Sequence, residues 1–139
     1  MAAMTKEEKQ DFLAGLHVGV LSLSDNPIGP LTVPIWYDYE PGGELWFITG
    51  PNSLKGKLLK VEVRLSLMAQ SEEPPYKYVS IEGPVVSIDE ATNNDLLAMA
   101  IRYLGKEGGE QYAKNSESGG GVIVRVKPER WLSVDYGKT

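Results

Sequence analysis

The sequence predicts a mainly β fold, an antiparallel β-barrel of roughly six to eight strands with α-helices packed outside it. Three observations lead there. Short runs of β-branched and aromatic residues recur along the chain, and Gly, Pro, Asn and Asp clusters separate them. The strands also follow one another directly, without the strand–helix alternation of a parallel sheet. With 139 residues, 42% of them hydrophobic, the chain supplies one core, so residues 1–139 are expected to form a single domain.

The elements follow in order. Thr5 with Glu8 three residues later spells a capping box and opens a short helix carrying Phe12, Leu13 and Leu16 on one side. Residues 17–23 read as a strand, broken by Ser24-Asp25-Asn26-Pro27. Residues 31–39 form a second extended run, which Pro41-Gly42-Gly43 turns into a hairpin with residues 45–49. Pro34 has no N–H for a ladder. In mid-strand it implies an edge, a bulge, or a backbone approached by something other than a strand.

Ser53 caps a short helix bearing Leu54, Leu58 and Leu59, and residues 63–69 return to strand. Residues 78–88 form a long strand that Gly83-Pro84 interrupts as a bulge or barrel corner. Asp89 then caps an amphipathic helix through Leu96, Leu97, Ala100, Ile101 and Leu104, ended by Gly105. Residues 107–114 add a short helix and residues 116–121 a glycine-rich linker. Strands at 122–126 and 131–134 close the chain.

Composition removes much site chemistry. The absence of cysteine excludes thiol catalysis, Cys-ligated zinc and iron–sulfur clusters, and no metal site is expected. His17 is the only histidine, reads best as a half-buried strand residue, and has no Gly-x-Ser-x-Gly elbow to serve. A net charge of −5 argues against a nucleic-acid partner. No signal-type h-region or membrane-length apolar run is present, so a cytoplasmic location is expected.

One segment is built differently. Between residues 47 and 60 a strand ends in a turn, and a helix begins with Lys55 and Lys57 in its first turns and Lys60 just beyond. Cations there oppose the helix dipole unless an anion is present, and a phosphate monoester meets that requirement. Arg64 extends the cluster. The alternative is plain: lysines on the wet side of an amphipathic helix. Gly119-Gly120-Gly121 lacks the Lys-Ser/Thr sequel of a phosphate loop and reads as a hinge.

Taken together, Val18-Gly-Val-Leu-Ser-Leu, Val33-Pro-Ile-Trp-Tyr, Leu45-Trp-Phe-Ile-Thr-Gly with Ser53-Leu-Lys-Gly-Lys-Leu-Leu, Tyr78-Val-Ser-Ile-Glu-Gly-Pro and Val124-Arg-Val-Lys-Pro-Glu-Arg-Trp-Leu follow a known order. In this the chain resembles the pyridoxamine 5′-phosphate oxidase-like, FMN-binding split-barrel family, near its deazaflavin (coenzyme F420)-dependent reductase branch. The resemblance implies a split β-barrel homodimer with a phosphorylated flavin-type cofactor between its subunits. It implies that Thr49, Ser53, Lys55 and Lys57 hold the cofactor phosphate and that Val33, Pro34, Ile35 and Trp36 border its ring. Tyr78, Glu82 and Trp131 are weaker candidates for contacts across the dimer. Leu54 stands where many FMN-binding members carry arginine. The Arg-x-His-type motif that recognises pyridoxine is also missing, so vitamin B6 oxidation is not expected. The implied activity is hydride transfer from F420 to a small unsaturated or quinone-like substrate. The alternatives are an FMN-dependent oxidoreductase or a non-catalytic FMN- or haem-binding carrier.

Overall fold

The computed structural model describes residues 2–116 and 121–138. In chain order they form α1 (Lys6–Ala14), β1 (Gly19–Asp25), β2 (Ile28–Ile35), β3 (Asp38–Tyr39), β4 (Leu45–Thr49), α2 (Leu54–Leu58), β5 (Arg64–Gln70), β6 (Lys77–Glu90), α3 (Asn93–Asn115), β7 (Val122–Val126) and β8 (Arg130–Asp135). The fold is mainly β, with eight strands among the described residues, and each strand pair is antiparallel.

The 14-residue β6 makes the barrel a split one. Its first half pairs with β5 and β8, and its second half with β7, which in turn pairs with β4. The sheet order is β2-β1-β5-β6-β7-β4-β3. Strict alternation of buried residues along β1, β4 and β5 sends Leu21, Leu23, Leu45, Phe47, Leu65 and Leu67 into one core, which Leu13 of α1 closes. Pro34 lies in β2, which ends the sheet, opposite Val20 of β1, and an edge strand is where a residue without a donor is tolerated.

Several expectations are corrected. The run predicted over residues 31–39 is two strands, because the chain leaves β2 at Trp36-Tyr37 and crosses to β3. Asp89 is not a helix cap: β6 continues through it, paired with Ile123, and Thr92 caps α3 in a box with Asp95. Register shifts between Val85 and Ser87 rather than at Gly83-Pro84. Gly83 is needed for another reason, since a Cβ there would overlap the Lys127 carbonyl oxygen. Leu54 does not pack inward and is 73% exposed, as is most of Leu16 outside α1. Arg64 leaves the lysine cluster altogether, held by Glu82 at 2.6 Å and Glu129 at 2.7 Å. Gly119 and Gly120 of the expected hinge lie outside the described residues. No helix among the described residues is long and apolar enough to cross a membrane.

Candidate functional site

The path of the chain out of β2 creates a cleft of about 430 Å³. Pro34, Ile35 and Trp36 form one wall, and Ile48, Thr49 and Gly50 at the end of β4 form another. Lys55 of α2 stands at the side, and α3 covers the space through Thr92, Asn93, Leu96, Met99 and Tyr112. That volume lies within the range of roughly 300–1,000 Å³ usual for small-molecule sites. Its lining is mixed, with apolar Pro34, Ile35, Trp36, Ile48, Leu96 and Met99 facing polar Thr49, Thr92, Asn93 and Ser116, and it holds one cation and no carboxylate among the described lining residues.

The turn that carries Lys55 is fixed by hydroxyls. Ser53 Oγ donates to the Gly50 carbonyl at 2.8 Å and accepts from the Gly56 N–H at 3.1 Å. Its one proton is thereby used, so the 3.3 Å contact between the Thr49 and Ser53 hydroxyls is donated by Thr49. Thr49 is buried, and it can give its proton to an incoming oxygen only by releasing Ser53. Gly56 admits this folded-back turn because any Cβ would overlap the Gly50 carbonyl oxygen. Lys55 is half-buried and Lys57 is exposed. Neither pairs with a carboxylate among the described residues.

On the other side of Trp36 the polar groups are all engaged. Tyr103 stacks on the indole with ring centroids 4.9 Å apart and planes 4° from parallel. Its hydroxyl donates to the His17 carbonyl at 2.6 Å and accepts from the Tyr37 N–H at 3.0 Å. Arg102 reaches the carbonyls of Tyr37, Ala14 and Gly15 at 2.9–3.1 Å and pairs with Asp38 at 3.3 Å. Burial raises the Tyr103 hydroxyl above the ordinary phenol range and, more strongly, that of Tyr37, which donates to the Leu13 carbonyl at 2.6 Å. His17 is pushed down by burial, against a hydrogen bond to the Phe12 carbonyl that favours its charged form. This network pins the β2–β3 crossover, and with it Trp36.

The structure therefore brings Pro34, Ile35, Trp36, Thr49 and Lys55 together around one cleft, with Ser53 behind Thr49 and Lys57 outside the lining. Val33 does not line the cleft: it lies on the Ile35 face of β2, opposite Pro34, and packs against the core. Tyr78 and Glu82 sit elsewhere, flanking Ser80 on the outward side of β6. Trp131 pairs with Ile81 in the register of β8, packs edge-on to Tyr39 at 6.0 Å, and lies under Lys9 at 5.3 Å. The α3 wall was not identified from sequence. Leu96 reads there as part of an amphipathic helix ended by Gly105, and residues 107–114 as a separate short helix with no role at a site.

A model of the pyridoxamine 5′-phosphate oxidase family matches residues 5–135. The chain belongs to this family. No curated protein matches it by sequence. Solved structures similar to this family member include a conserved hypothetical protein from Mycobacterium tuberculosis, at 24% identity and TM-score 0.76, covering 99% of this chain and 88% of that one. A protein described as an F420 reductase matches at 21% identity and TM-score 0.72, covering 88% of this chain and 94% of that one. An FAD binding protein from Mycobacterium smegmatis matches at 15% identity and TM-score 0.64, covering 95% and 97%. At these identities the likeness is one of fold.

Proposed function

We propose that the chain is an oxidoreductase that holds a phosphorylated flavin-type cofactor in this cleft, coenzyme F420 before FMN, and reduces a small unsaturated or quinone-like organic molecule. One observation carries it: an apolar slot walled by Pro34, Ile35 and Trp36 meets a lysine that no described carboxylate neutralises. These residues fit a planar ring with a phosphate at one end. Lys55 donates to the phosphate, Lys57 adds charge from the rim, and Thr49 and Ser53 hold the turn in shape. The family membership and a structural neighbour described as an F420 reductase point the same way.

At the phosphate itself, one lining cation matches the single charge of the F420 diester more closely than the nearly two charges of the FMN monoester. The cleft offers one lining cation, and exposed Leu54 adds none. When bound, the cofactor supplies the hydride chemistry, and water supplies the proton that completes reduction of the acceptor. The chain positions the ring, excludes water with its apolar walls and anchors the phosphate.

A second copy completes the site in this proposal. The outward row Pro34, Val20, Met68, Ser80 and Leu132 crosses β2, β1, β5, β6 and β8, and starts at the cleft. Tyr78 and Glu82 flank that row, which makes them the cross-subunit candidates, while Trp131 is occupied by Tyr39 and Lys9. Fluorescence titration with F420, FMN and riboflavin tests the binding. Micromolar affinity for F420 or FMN is expected, and failure of both to bind would overturn it. Oxidation of reduced F420 by a quinone in the protein's presence separates an enzyme from a carrier.

A further inference from the structure

α3 is not one helix. Gly105, at φ +80°, breaks it, and the chain turns back so that Gly109 lies against the backbone of the preceding segment. A Cβ at Gly109 would stand 2.5 Å from the Ile101 nitrogen, 2.6 Å from its Cα and 2.7 Å from its Cγ1, closer than real contacts allow. Gly105 supplies a backbone conformation that L side chains seldom take, and Gly109 supplies the close approach. One helical turn beyond Gly109 stands Tyr112, whose ring centroid lies 5.4 Å from that of Trp36 at a 48° tilt. Tyr112 lines the cleft and is still 41% exposed, so it is a wall of the site rather than part of the core.

From this we infer that Tyr112 is a specificity-determining residue of the cleft, and that Gly109 is the positioning residue that sets how far it reaches over Trp36. The inference rests on the proposed occupation of the cleft by a flavin-type ring. Trp36 itself cannot yield, because Tyr103 stacks against it and the Arg102–Tyr103 hydrogen bonds fix the crossover beneath it. Tyr112 touches Trp36 and closes one end of the cleft against it, and the position of that end is set by the distal half of α3 alone. A deazaflavin with a single hydroxyl on its benzenoid ring is narrower there than the dimethyl ring of FMN. The Tyr112 wall discriminates against the wider ring.

The test compares F420 and FMN affinities, by fluorescence titration, in the parent chain and in Tyr112→Ala, Tyr112→Phe and Gly109→Ala. Removing the ring in Tyr112→Ala is expected to shift the affinity ratio toward FMN by about fivefold or more. Tyr112→Phe, which keeps the ring, leaves the ratio near that of the parent. Gly109→Ala displaces the wall without touching it and shifts the ratio in the same direction as Tyr112→Ala. Tyr112 is exposed enough that its variants fold, and thermal melts of all three verify this. If every variant binds both cofactors with the parent ratio, the Tyr112 assignment is overturned while the cofactor site stands. If the parent binds neither, the site and the assignment fall together.

Discussion

Two polar clusters flank Trp36, and they differ in what is left over. On the α3 side, Arg102 spends its donors on Asp38 and the carbonyls of Ala14, Gly15 and Tyr37, and Tyr103 gives its proton to the His17 carbonyl. On the α2 side, Thr49 and Ser53 are likewise committed to the turn, but the same turn presents Lys55 without a carboxylate among the described residues. A saturated network is a means of holding backbone in place. An unneutralised, half-buried cation is a means of receiving an anion. The first side should therefore answer to stability measurements and the second to ligand affinity.

The largest stability effect belongs to Arg102. Arg102→Ala leaves several carbonyls and Asp38 without their partner, and should cost about 2–4 kcal/mol in urea unfolding. Its folded fraction should still prefer FMN over riboflavin, and loss of that preference without loss of stability would dissolve the distinction between the clusters. Tyr103→Phe keeps the stack on Trp36 but removes the hydroxyl that joins Tyr37 N–H to the His17 carbonyl, and should cost about 1–2 kcal/mol.

The acid response is smaller and has a definite sign. Burial depresses the His17 imidazole below its ordinary 6.5, so the unfolded chain binds its proton first. The stability contributed by neutral His17 is full above 6.5 and is lost as pH falls through the depressed folded value. His17→Gln should flatten that part of the stability profile as pH falls below 6.5, and an unchanged slope would show that other groups cause it. Smallest is Lys57→Ala. From the exposed rim it should weaken FMN by only about two- to threefold, an effect that added salt removes.

The sequence made legible what short-range chemistry encodes. The Thr5–Glu8 box, the Ser53 cap and the β3–β4 hairpin each depend on neighbours a few residues away. The edge position and the cleft were both among the meanings left open for Pro34, and the structure gives it both. Asp89 misled because a good capping residue sat in a strand whose pairing with Ile123 lies far along the chain. Arg64 looked like part of a cation cluster because Glu82 and Glu129, which neutralise it, come from other strands. Tyr112 was hidden for the same reason. Its place opposite Trp36 depends on a tertiary contact between Gly109 and Ile101 that no periodicity displays.

The most direct measurement is the affinity for FMN and for riboflavin, which differ only by the phosphate, in the parent chain and in Lys55→Ala. The parent should bind FMN at least about tenfold more tightly than riboflavin. Lys55→Ala should abolish most of that preference while its free energy of urea unfolding stays within about 0.5 kcal/mol of the parent. Equal affinity of the parent for both ligands, or a preference that survives Lys55→Ala, would contradict the phosphate site.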